Sequence, residues 1–135
     1  MTASLPQAAG EKHAACAVVF VVDDEALVRR ALLRALRDGA RELHGFEHPV
    51  AALAEIDRLR PELVVSDNQM PHVSGVDFLR HLRAARPEIR TLMVTGGEIG
   101  GDIRAAVAAG AIDRLLAKPW REAELRAAVC ELLCG

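Results

Sequence analysis

Short runs of buried-type residues alternate along this chain with longer stretches in which apolar residues recur at helical spacing. Ala17–Val22 is a continuous apolar run, as expected of a strand covered on both faces. Glu25–Asp38 then places Leu27, Val28, Ala31, Leu32, Ala35 and Leu36 on one helical stripe, with Gly39 positioned to close the helix. Arg41–Phe46 predicts a weaker, edge-like strand. His48-Pro49 opens a second helix that runs to about Leu59 and stops before Pro61. Leu63–Ser66 predicts a third strand, Val76–Ala85 a third helix, and Thr91–Thr95 a fourth strand. After the glycine-rich "GGEIGG" comes a short helix, Ile103–Ala109, ending at Gly110. Arg114–Ala117 and Glu122–Leu133 complete the series as strand and helix. Strand and helix alternate throughout with connections of a few residues. That order predicts an α/β fold, a parallel sheet with helices on both faces and right-handed crossovers.

Loops at the carboxyl ends of such strands gather at one edge and form the site. The first strand delivers Asp23, Asp24 and Glu25 to that edge, the third Asp67, the fourth Thr95 and Gly96, and the fifth Lys118 and Pro119. The second strand delivers nothing comparable, which fits a position away from the site. Converging carboxylates repel unless something neutralises them, and a hard divalent cation does so best. Mg²⁺ takes oxygen ligands and suits a few carboxylates plus a phosphate. An Asp beside it can act as a nucleophile towards phosphorus. Lys118 offers an ammonium, Thr95 a hydroxyl and Gly96 an unobstructed backbone N–H for phosphoryl oxygens. The choice of Lys118 stands out because the chain has fifteen Arg and two Lys, the other being Lys12. Taken alone, Asp23 and Asp24 are equally well explained as helix-capping acids, while a turn former before Met-Pro is the lesser reading of Asp67.

Composition narrows the class. With 135 residues, 51% hydrophobic and 27% charged, the sequence is that of one folded domain. A net charge of −2 gives no overall reason to bind nucleic acid. The longest apolar run, Ala14 to Val22, is too short to span a bilayer, and no basic segment leads into an apolar one as in a secretory signal. Residues 1–14 read as a flexible leader and 15–135 as the domain. Cys16, Cys130 and Cys134 read as small hydrophobes in a reducing cytosol. Arg29, Arg30, Arg34 and Arg37 form a basic helix face. Trp120 reads as either a partner anchor or a side chain half-buried beside the last helix. The five histidines, His13, His44, His48, His72 and His81, are scattered and read as structural or surface residues.

The motifs "VVDDE", "VVSDNQMPHVSG", "LMVTGG" and "LLAKPW", on successive strand ends, resemble the receiver domain of two-component response regulators over roughly Ala17 to Leu133. The resemblance implies a doubly wound, flavodoxin-like five-stranded sheet in the order 2-1-3-4-5 with five helices. It implies phosphorylation of Asp67, in the cytoplasm, by a sensor histidine kinase or phosphotransfer protein. Asp24 and Asp67 would bind Mg²⁺, or Mn²⁺ in its place, through their side chains, Asp23 through water and Gln69 through its carbonyl. Thr95, Gly96 and Lys118 would contact the phosphoryl group, and Pro119 would hold the Lys118 loop through a cis bond. Met70-Pro71 and Gly75 match the loop after the acceptor. The output surface would be the fourth helix, fifth strand and fifth helix, serving an output domain or a homodimer, and the first helix would meet the kinase.

"SDNQMPHVSGVDFLRHLR" and "DRLLAKPWREAELRAAV" resemble receivers fused to HD-type phosphodiesterases or enhancer-binding activators. The sequence departs from the pattern at Leu115, where many receivers carry a switching Tyr or Phe. A phosphorylation-independent scaffold is therefore the alternative reading. A haloacid-dehalogenase-like phosphatase is the enzymatic one, but that class needs D-x-D after its first strand, and D-D-E stands here. A flavodoxin-like cofactor carrier needs a phosphate-cradling loop after the first strand, where these acids would repel the phosphate.

Overall fold

The computed structural model describes residues 17–134; the expected leader, Lys12, His13 and Cys16 lie outside the described residues. Ten elements alternate without exception: β1 (Ala17–Val22), α1 (Ala26–Leu36), β2 (Arg41–Phe46), α2 (Pro49–Leu59), β3 (Leu63–Asp67), α3 (Gly75–Ala85), β4 (Arg90–Thr95), α4 (Gly101–Ala108), β5 (Arg114–Ala117) and α5 (Glu122–Cys134). The sheet is parallel in the order β2-β1-β3-β4-β5, as expected.

Alternation along the strands divides the core in two. Phe20, Val22, Val64 and Met93 face α2, α3 and α4, where Ile56, Phe78, Leu79, Leu82 and Ile103 meet them. Val19, Val21, Leu63, Val65, Leu92 and Val94 face α1 and α5, where Leu32, Leu36, Leu125 and Val129 pack. All of β3 is buried, whereas β2 is only partly so, as befits an edge. Each fully buried Val, Leu or Phe contributes about 1.5–3 kcal/mol, so the strand ends are held on a stiff platform.

The differences from expectation lie at element ends. Gly39 does not close α1. The helix stops at Arg37 in extended backbone, and Asp38 Oδ1 accepts from the Ala40 N–H at 2.9 Å to make the turn instead. Glu25 precedes α1 as its N-cap rather than lying inside it. β3 runs one residue further than the apolar pattern, to Asp67, because its ladder with β4 continues through the Asp67–Val94 pair. Arg60 ends α2 in left-handed backbone with φ 51°, immediately before Pro61.

Candidate phosphoacceptor site

Register places the site. Val22 pairs with Ser66, so the next residues, Asp23 and Asp67, leave neighbouring strands side by side. Thr95 pairs with Ala117, so Lys118 follows one step beyond. The ladder continues past both strand ends: Asp23 N–H donates to the Phe46 carbonyl at 3.1 Å, and Lys118 N–H to the Thr95 carbonyl at 2.8 Å. The Lys118-Pro119 bond is cis.

Asp23, Asp24 and Asp67 each offer a carboxylate oxygen, and these lie within 4.8 Å of one another. Asp23 and Asp67 are buried and Asp24 half-buried. Lys118 Nζ donates to Asp67 Oδ1 at 2.9 Å and stands 3.7 Å from Asp23 Oδ2. Asp23 Oδ1 accepts from the Glu25 N–H at 2.9 Å, while Asp23 Oδ2 is buried without a hydrogen-bond partner. Burial pushes the Asp23 carboxyl above its ordinary value of 3.8, against the opposing pull of the Glu25 N–H and the Lys118 charge. Burial would push Lys118 down, but the hydrogen bond and charge of Asp67, then Asp23 and Glu25, outweigh it and hold the ammonium above 10.5. An acid cluster with one ammonium and an orphaned buried oxygen fits a further hard cation.

Asp24, Glu25, Asp67, Gln69, Gly96 and Lys118 line an open pocket of about 380 Å³. Thr95 is buried at the end of β4, at the same edge but outside that lining, and its carbonyl anchors Lys118. A Cβ on Gly96 would lie 3.4 Å from Lys118 Cδ, in contact with the stem of that side chain.

Several supports were not legible as such. Glu25 lines the pocket, although only its charge drew notice in the sequence. Asn68 fastens the loop after Asp67, its Oδ1 accepting from Val76 N–H at 3.1 Å and its carbonyl from Gly75 N–H at 2.8 Å. Ser66 Oγ donates to the Asp67 carbonyl at 2.8 Å. Arg29 does not belong to a free basic face. It reaches back to the Asp23 carbonyl at 2.7 Å, while Arg30, Arg34 and Arg37 are exposed. The Asp-Asn pair after an apolar run was the available signal for the Asn68 turn; nothing in the sequence marks the Arg29 contact.

The family profile of the response regulator receiver domain matches residues 19–130. The chain belongs to this family. Phosphorylation-based switching is the general function of its receivers. The receiver is 38% identical over 120 residues to the cyclic di-GMP phosphodiesterase response regulator RpfG of Xanthomonas campestris pv. campestris, covering 85% of this chain and 31% of RpfG. It is 35% identical over 104 residues to the hydrogenase transcriptional regulatory protein HoxA of Cupriavidus necator, covering 77% of this chain and 21% of HoxA. Among solved structures, the signal receiver domain of an HD domain-containing protein from Pseudomonas fluorescens superposes with a TM-score of 0.81 at 26% identity, covering 87% of this chain and 94% of that one. The chain thus spans half or less of the length of the curated relatives it matches.

The remaining expectations divide. Trp120 is half-buried against the α1/α5 side of the core, as one of its two readings held. His44 packs edge-on to Phe20 and bonds Glu42 at 2.7 Å; His48, His72 and His81 are exposed. Cys130 and Cys134 contradict their reading as packed hydrophobes, because both are exposed free thiols. They lie on the solvent side of α5, while Leu125, Ala128 and Val129 fill its buried stripe. Among the described residues no helix is long and apolar enough to cross a membrane.

Proposed function

We propose that Asp67 is the phosphoacceptor of this receiver, taking its phosphoryl group in the cytoplasm from a phosphohistidine of a sensor kinase or phosphotransfer protein. The observation that carries the reading is the Lys118 ammonium 2.9 Å from Asp67 Oδ1, beside two further carboxylates and a pocket large enough for a phosphoryl group. Asp23, Asp24, Asp67 and the Gln69 carbonyl are the groups that would hold Mg²⁺, with Mn²⁺ as its substitute. Bound there, the ion supplies charge neutralisation for the carboxylates and the incoming phosphoryl oxygens.

An Asp67 carboxylate oxygen attacks phosphorus. The new O–P bond forms as the N–P bond of phosphohistidine breaks, and the imidazole leaves with the electron pair. Lys118 moves its hydrogen bond from the carboxylate to a phosphoryl oxygen. The Thr95 hydroxyl and Gly96 N–H serve the remaining oxygens. The product biases a two-state equilibrium read on α4, β5 and α5 by an output domain or a second receiver. The described residues 17–134 form the receiver unit. The likeness to RpfG and to the HD-domain receiver supports an output of that kind.

Beryllium fluoride with Mg²⁺ tests the reading. The wild-type receiver should gain thermal stability, and Asp67→Asn should show no gain. An equal gain in Asp67→Asn would refute the assignment. No response in the wild type would favour the phosphorylation-independent scaffold.

A further inference from the structure

β2 carries a glycine, Gly45, one residue before its end, although its backbone is not left-handed there. Glycine inside a strand often marks a close approach. Here the side chain of Arg29 makes that approach. A Cβ on Gly45 would lie 3.4 Å from Arg29 Cδ, 3.5 Å from Arg29 Cγ and 2.9 Å from Leu33 Cδ1. Arg29 and Leu33 stand four residues apart, on one face of α1. The Arg29 stem thus lies over Gly45, which pairs with Val21, and its guanidinium reaches the end of β1. There Nη1 donates to the Asp23 carbonyl at 2.7 Å, the one hydrogen bond of that guanidinium among the described residues. No backbone N–H among the described residues reaches the same carbonyl, so a side chain supplies the partner that a buried main-chain acceptor needs.

We propose, resting on the metal reading of Asp23, Asp24 and Asp67, that Arg29 is a positioning residue for cation binding: laid over Gly45, it fixes the Asp23 main chain so that Oδ2 is presented to the acidic pocket. The contacts of Asp23 account for its orientation. Its N–H donates to the Phe46 carbonyl at 3.1 Å, its carbonyl accepts from Arg29, and its Oδ1 accepts from the Glu25 N–H at 2.9 Å. Oδ2 is left without a hydrogen-bond partner, 3.7 Å from Lys118 Nζ. The first and third of these contacts are main-chain groups that any sequence would supply. The second depends on one side chain, and on the glycine that lets it pass. A hydrogen bond from a charged donor is roughly twice as strong as a neutral one, and partners behind a metal ligand set affinity by about 10–100-fold. Arg29 bonds the main chain and not the carboxylate, so it acts through Asp23. Its fork is used as a single donor to a single carbonyl, so an ammonium on a similar stem can take its place.

The test titrates the full chain with Mn²⁺ at neutral pH, counts the free ion by electron paramagnetic resonance, and checks by circular dichroism that each variant is folded. Arg29→Met keeps a stem over Gly45 and removes the donor, whereas Gly45→Val keeps the donor and blocks its path. Each should weaken Mn²⁺ binding about tenfold. Arg29→Lys should recover most of the affinity, and Arg30→Met, exposed on the same helix, should leave it unchanged. Wild-type affinity in Arg29→Met overturns the proposal, and if urea unfolding shows that variant destabilised all the same, Arg29 is a structural residue only. Equal weakening in Arg29→Lys also overturns it, because the effect would then follow side-chain shape and not the donated hydrogen bond. Should Arg29→Met not fold, wild-type affinity in Gly45→Val overturns the proposal in its place. A wild-type chain that binds no Mn²⁺, or binds it equally well as Asp24→Asn, overturns the metal reading itself and this inference with it.

Discussion

Asp23 carries an unresolved electrostatic tension that the free receiver must bear. Its carboxyl is fully buried, one oxygen has no partner, and its nearest cation is shared with Asp67. Because the folded value lies above 3.8, the stabilisation associated with this group is complete below 3.8 and lost as pH rises through the folded value. At neutral pH the metal-free fold is therefore penalised. Asp23→Asn should raise metal-free stability at neutral pH by about 1–2 kcal/mol, because it removes the buried charge and keeps an acceptor for the Glu25 N–H. Urea unfolding checks this, and a loss of stability in Asp23→Asn would show that the charge is better compensated than its contacts suggest. Residue identities at the site were legible because each acid or lysine ends an apolar run. The Arg29 reach was not, because a long flexible side chain leaves no periodic trace in the sequence.

At the scale of elements, the turn from β3 into α3 sets where Asp67 points. Ser74 caps α3 by accepting from the Asp77 N–H at 3.1 Å, and Asn68 ties the loop to the helix start. A Cβ on Gly75 would collide with the Asp67 carbonyl and approach Asn68 Cα to 2.8 Å, both backbone atoms that cannot move aside. Gly75→Ala should cost about 3 kcal/mol or more and weaken phosphorylation, since relief requires shifting the acceptor strand. Calorimetry with a phosphorylation assay checks both, and a fully stable, active variant would contradict the close approach. Strand and helix existence was readable from period alone, and β1, β2 and β5 fall where the pattern put them. Ends were harder: Gly39 looked like a helix terminator, yet the Asp38 side chain makes the turn. Turn chemistry overrode the residue preference there. The exposure of Cys130 and Cys134 was hidden because a cysteine counts as apolar while α5 buries only its Leu125–Ala128–Val129 stripe.

For the whole molecule, the parallel order β2-β1-β3-β4-β5 converts four separate strand ends into one site and leaves β2 at the margin. Alternation fixed both faces of the sheet in advance, so the architecture was the most legible feature of the sequence. Coupling to the output face was the least, because Leu115 packs half-buried against the α2/α3/α4 side of the core and has no ring to turn. Ligand binding to the folded state adds stability that grows with the logarithm of its affinity, and bound Mg²⁺ would do so here. On the proposed assignment that affinity requires Asp23 ionised, so the Mg²⁺-induced rise in Tm should shrink as pH falls from neutral through the raised value of Asp23 towards 3.8. A thermal series at several pH values checks this, and a rise independent of pH would place the ion away from Asp23.

The most direct measurement reacts the receiver with acetyl phosphate and Mg²⁺, reduces the acyl phosphate with borohydride and maps the modified peptide. One homoserine per chain at residue 67, left when hydride displaces phosphate from the acyl phosphate, and strongly diminished in Lys118→Ala, is the predicted result. Modification at another carboxylate, or equal labelling of Asp67→Asn, would contradict it.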